Sequence, residues 1–227
     1  MAEDPRVHVA RLLLLVLVLA LAACGGDEEP ESAPTTEAEA VPTIGDCAAV
    51  NSPEPKPDGG QTAPKEKLDP ATTYRLVVET NCGAFTIELD QAQAPETAAS
   101  LVALAETGFF DGTSFHRVAP GFVIQGGDPT GSGSGGPGYK TVDAPPQTAA
   151  YTRGVVAMAK TEAEPAGTSG SQFFVVTAAD VGLPPDYAIV GTVTEGMDAV
   201  SAIERLGVGD GPPTQPVVIE KVTVQES

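Results

Sequence analysis

The chain has no tryptophan, two histidines and three cysteines in 227 residues, and 12 Lys and Arg against 31 Asp and Glu. Each shortage removes a class of function. A formal net charge of −19 argues against a nucleic-acid partner, because phosphates would repel it. A zinc site needs three or four ligands, mostly His and Cys. His8 lies in the leader, so His116 has only carboxylates for company and no metal is expected. A Ser-His-Asp hydrolase would also need His116 as its base. "GTSGS", residues 167–171, lacks the Gly-x-Ser-x-Gly spacing and the strand-to-helix setting of a nucleophile turn. Gly131, Gly133 and Gly136 match Gly-x-Gly-x-x-Gly, but Pro137 and Gly138 follow where a helix should open, so no phosphate cradle is expected. With 25 glycines and 21 prolines, strands and turns are favoured over long helices.

The amino terminus is informative by pattern. Arg6, His8 and Arg11 flank "LLLLVLVLALAAC", an apolar run that is short for a membrane span and ends in small residues. Residues 1–23 therefore read as a secretory signal peptide. "LAAC", Leu21 to Cys24, resembles a bacterial lipobox. That resemblance implies cleavage before Cys24, lipid on its thiol, and an extracytoplasmic protein anchored to the bacterial cell membrane. Outside the cytoplasm the two remaining cysteines, Cys47 and Cys82, are expected to pair. Residues 24–70 are rich in Pro, Glu, Ala and Thr with no apolar period, so a flexible acidic linker is expected there.

The folded domain is expected over residues 71–227. "YRLVVET" and "GAFTIELD" alternate polar and apolar residues around "NCG" and read as a hairpin. "APETAASLVALAETGFF" carries Pro95 at its start, apolar residues at helical spacing and Gly108 at its end, the signature of a helix. "SFHRV", "FVIQG", "GVVAMA", "SQFFVVT", "AIVGTV" and "VVIEKVTVQ" read as further strands, and "DAVSAIERLG" as a second helix. Many short strands with two helices predict a mostly β fold, a closed antiparallel barrel capped by helices.

"SFHRVAPGFVIQGGD" and "GTSGSQFFVVT" resemble the cyclophilins, with "GVVAMA" between them and "YAIVGTVTEGMDAV" after, in family order. The resemblance runs from about Thr73 to Gln225. It implies an eight-stranded barrel with two helices and peptidyl-prolyl cis-trans isomerase activity on proline-containing polypeptides, with no cofactor. A monomer is expected. By position, Arg117 matches the family's catalytic arginine and Gln125 the glutamine that orients the substrate backbone. Phe122, Val123, Phe174 and Leu183 match residues that receive the proline ring, and Ala159 a backbone contact to the preceding residue. Tyr187 stands where a histidine often closes the proline pocket, Val123 where methionine is common, Gly182 where many members carry Trp, and Lys160 where Asn is frequent. The missing Trp implies weak cyclosporin binding. His116 matches no catalytic position and is expected to be structural.

The chemistry suits such residues. Rotation about an X–Pro bond meets a barrier of about 18–20 kcal/mol from amide resonance. No covalent bond breaks, so nucleophile, metal and redox group are all dispensable. The twisted amide has a pyramidal, more basic nitrogen, and a guanidinium beside it favours that state over the planar one. The competing reading is a non-catalytic module that binds proline segments.

Overall fold

The computed structural model describes Thr43, Ile44 and residues 47–227. The expected signal peptide and Cys24 lie outside the described residues.

In chain order the elements are β1 (Thr43–Ile44), β2 (Cys47–Ala48), β3 (Tyr74–Thr80), β4 (Gly83–Leu89) and α1 (Pro95–Glu106). Then come β5 (Thr113–Ser114), β6 (Arg117–Ala119), β7 (Val123–Gly126), β8 (Thr141–Val142) and β9 (Val155–Met158). β10 (Thr168–Ser169), β11 (Phe173–Val176), β12 (Ile189–Glu195), α2 (Met197–Glu204) and β13 (Val218–Glu226) complete the domain. Nine strands form one curled antiparallel sheet in the order β5-β13-β3-β4-β12-β9-β11-β7-β6.

The expected mostly β fold of antiparallel strands with two helices is what the structure has, with nine strands in the curled sheet rather than eight. "SFHRV" does not make one strand. It breaks at Phe115 and His116 into β5, which pairs with β13, and β6, which pairs with β7. Across that break a single bridge joins Ser114 to Asp128.

β7, β9 and β11 are apolar on both faces, which explains their near-continuous hydrophobic runs. Ile124, Val156, Met158, Phe173 and Val175 point into the main core with Phe85, Phe110 and Phe115. Their alternates Val123, Ala157, Phe174 and Val176 form a second, smaller core with Tyr151. At about 25 cal/mol per Å² of apolar surface, each such side chain contributes about 2 kcal/mol. α1 covers the main core with Leu101, Val102, Leu104 and Ala105. Its start has Pro95 in the first turn and no cap from Ala94, and the Asp143 carboxylate accepts the Thr97 N–H at 2.7 Å instead.

The linker expectation for residues 24–70 fails over its second half. The stretch from Cys47 lies as a strap along the domain. Lys56, Gly59 and Gln61 donate backbone N–H groups to the carbonyls of Pro129, Gly136 and Pro137 at 2.8–3.0 Å. The Lys56 ammonium donates to the carbonyls of Phe109, Asp111 and Gly108 at 2.6, 3.0 and 3.2 Å. Cys47 and Cys82 are joined in a disulfide, both buried. Composition misled here because the strap is held mostly by its backbone, Lys56, the Asp58 carboxylate and one covalent bond, with Leu68 its one large apolar side chain packed on the core.

The glycine run folds around a buried carboxylate. Asp128 is fully buried and accepts from the Thr130 N–H and hydroxyl and from the Gly133 and Gly135 N–H groups, at 2.5–3.2 Å. Burial pushes its carboxyl upward, but those bonds outweigh burial and hold it below the usual aspartate range. Asp128→Asn turns an amide N–H toward donors and should cost about 2 kcal/mol, read by urea unfolding at neutral pH. Because the folded value is depressed, the carboxylate's contribution is full above the unfolded value and fades as pH falls through the folded one. The gap between wild type and variant should therefore narrow in acid. A gap that widens in acid would refute this role.

Candidate active site

Strand register assembles the site. Arg117 on β6 stands opposite Gln125 on β7, Gln125 opposite Phe174 on β11, and Phe174 opposite Ala157 on β9. Residues paired across an antiparallel ladder share a face, so this row lays a cation, an amide and an aromatic ring on one surface. A cleft of about 250 Å³ opens above it. Arg117, Phe122, Val123, Gln125, Ala159, Lys160, Phe174, Leu183 and Tyr187 line it.

Alternation alone would put Phe122 on the face away from Val123 and Gln125. In the structure Phe122 precedes β7 and ends a turn. Its N–H bonds the Ala119 carbonyl at 3.0 Å, with Pro120 and then Gly121 (φ +71°) at the corner. Pro followed by a left-handed Gly is the type II turn pattern. That turn brings Phe122 to the cleft, where the Arg117 guanidinium lies 5.6 Å from its ring centroid.

Arg117 is held on three nitrogens. Nη1 donates to Gln125 Oε1 at 3.0 Å, while Nε and Nη2 donate to the two carboxylate oxygens of Asp210 at 2.5 and 2.9 Å. The guanidinium thus lines the cleft and carries an ion pair at its rim. The Arg117 hydrogen bond holds the Asp210 carboxyl below its usual range. Gln125 in turn donates to Gln172 Oε1 at 3.1 Å, and Gln172 donates to the Gly135 carbonyl at 2.9 Å. This chain fixes which end of the Gln125 amide meets Arg117.

Tyr187 forms the far wall. Its ring meets Phe174 edge-on at 5.7 Å and Tyr151 at 6.1 Å. The Tyr151 hydroxyl donates to the Tyr187 carbonyl at 2.7 Å and accepts its N–H at 3.0 Å. Burial pushes the Tyr151 hydroxyl pKa up, so it stays a neutral donor. The Lys160 side chain is buried, pairs with Asp186 at 2.6 Å and lies with its ammonium 5.5 Å from the Tyr187 ring centroid. Its ammonium also donates to the Thr161 and Glu164 carbonyls, so its charge braces the wall from behind.

Asp210, Gln172 and Tyr151 were not singled out from the sequence. Asp210 sits in "GVGDGPP", a loop with no periodicity, and only the fold brings it to Arg117. His116 does not line this cleft. It lies beneath the glycine loop, where a Cβ on Gly133 would sit 3.8 Å from its Nε2, and burial lowers its pKa.

The profile of the cyclophilin type peptidyl-prolyl cis-trans isomerase/CLD family matches residues 75–224. The chain belongs to that family. It is 39% identical over 173 residues to peptidyl-prolyl cis-trans isomerase A of Mycobacterium tuberculosis, covering 68% of this chain and 94% of that protein. It is 37% identical over 187 residues to a probable peptidyl-prolyl cis-trans isomerase B of Mycobacterium leprae, covering 74% of this chain and 62% of the relative. Among solved structures, a cyclophilin type isomerase of Cryptosporidium parvum superposes with a TM-score of 0.62 at 30% identity, covering 67% of this chain and 98% of that one. A second crystal structure of that cyclophilin, in the presence of the dipeptide Ala-Pro, matches with the same TM-score at 31% identity. The cyclophilin fold, isomerase activity and a role in protein folding follow from these likenesses.

Proposed function

We propose that this cyclophilin is a lipid-anchored, extracytoplasmic isomerase that acts on secreted or envelope proteins, with Arg117 as its catalytic cation. The observation that carries the site is that all eight residues assigned to it by motif resemblance line one cleft. Phe122, Val123, Phe174, Leu183 and Tyr187 supply apolar walls for a proline ring. Gln125 orients the substrate backbone, and Ala159 meets the residue before proline. Arg117 keeps one N–H on each terminal nitrogen to offer the prolyl nitrogen as it becomes pyramidal. That donation is stronger to the twisted amide than to the planar one, which is the condition for lowering the barrier.

The test is an isomerase assay of the mature protein on a proline tetrapeptide, with binding of the same peptide measured in parallel. Turnover supports the enzyme. Binding without turnover supports a proline-segment module instead. For the anchor, "LAAC" supports lipid on Cys24. Cys24→Ser should move the protein from the membrane fraction to the soluble fraction in a bacterial host that processes lipoproteins. Unchanged membrane retention would sink the anchor and leave the site untouched.

A further inference from the structure

Asp210 has a place in this site that no motif supplies. Its two carboxylate oxygens occupy Nε and Nη2 of Arg117 side by side, while Gln125 holds Nη1. A planar cation gripped by a two-point acceptor has its plane fixed as well as its position. The Phe122 ring, 5.6 Å away, confines it further.

The carboxylate is placed by main chain. Val118 donates its N–H to the Gly211 carbonyl at 2.7 Å, a bridge that sets residue 210 beside residue 117. Thr214 donates to the Leu206 carbonyl at 2.8 Å and closes the base of the loop. Gly207 packs against Pro120 and Val118, where a Cβ would come within 2.7 Å of their side chains. The loop's course is therefore fixed at its base and at its flank.

We propose that Asp210 is a positioning residue for the isomerase reaction, holding the Arg117 guanidinium so that its remaining N–H groups are presented to the prolyl amide. This rests on the reading of Arg117 as the catalytic donor. A carboxylate so close also opposes the cation's charge, and the two effects pull in opposite directions. The Asp210 side chain is 63% exposed. Water and salt screen its field at the cleft, whereas the geometric constraint is not screened. Orientation therefore outweighs neutralisation.

The experiment compares wild type, Asp210→Ala, Asp210→Asn and Asp210→Glu in the mature protein. kcat and KM are measured on a proline tetrapeptide, and the Arg117 Nε–H resonance is followed by 15N NMR. Asp210→Ala should lower kcat about tenfold with KM within about twofold, since a misaimed group costs the transition state more than the ground state. Asp210→Glu should recover part of the loss, and Asp210→Asn should fall between wild type and Asp210→Ala. The Nε–H signal should be sharp in the wild type and broadened by exchange in Asp210→Ala, with the melting temperature unmoved. Wild-type kcat in Asp210→Ala overturns the proposal, as does an Nε–H signal indifferent to the substitution. A rise in kcat in Asp210→Asn overturns it too, because that marks a carboxylate competing for the cation. An inactive wild type is a separate failure. It removes the isomerase reading, and this role with it.

Discussion

Arg117→Ala should lower kcat/KM on a proline tetrapeptide by about two to three powers of ten, with the melting temperature within about 2 °C of wild type. The size follows from removing, among the described residues, the one cation of the cleft that has N–H groups left for a substrate. Lys160, the other cation there, spends its ammonium on Asp186 and two carbonyls. The small stability cost follows from what the variant leaves behind. Asp210 is an exposed rim group that water can solvate, and Gln125 keeps its bond to Gln172. Arg117→Lys should fall between the two, because a lysine keeps the charge but not the planar fork that meets Gln125 and Asp210 together. Full activity in Arg117→Ala would mean that the cleft works by burial alone.

Removing the Cys47–Cys82 bond should lower stability by about 3–4 kcal/mol, from the loop-entropy cost of its 35-residue separation. For a domain of this size that is a fall in melting temperature on the order of 10 °C. The double variant Cys47→Ser/Cys82→Ser and the wild type under reductant should agree. The bond ties the strap to the turn between β3 and β4, and without it the strap keeps the Lys56 contacts, the Asp58 and Asn81 side-chain bonds, a few backbone hydrogen bonds and the half-buried Leu68. Limited proteolysis should then cut first between residues 49 and 70. A melting temperature insensitive to reductant would show that those polar contacts suffice.

The two helices and the strands of the main sheet could be read from the sequence because their signals are local. Pro95 and Gly108 punctuate α1, and alternation of polar and apolar residues marks the β3–β4 hairpin. β7, β9 and β11 lack alternation, so their apolar runs show that both faces are buried but not which residues share a face. Register supplies that, and register depends on distant partners. The break at Phe115–His116 was illegible for the same reason: one run of residues serves two neighbouring strands. The strap escaped because a tract such as "NSPEPKPDGG" has the composition of a linker. Only the disulfide partner hinted at docking. Motif resemblance assigned eight of the cleft's nine lining residues and marked the ninth, Lys160, as a departure, whereas Asp210, Gln172 and Tyr151 act through geometry that no short pattern records.

The floor of the cleft is also the outer layer of the core. Val123 and Phe174 stand back to back with Ile124 and Phe173 on β7 and β11. A substitution in the floor is therefore penalised twice, once in substrate contact and once in packing. Changes in substrate preference that spare the packing are therefore expected at the rim, where Leu183 and Tyr187 are only half-buried and rise from loops outside the sheet.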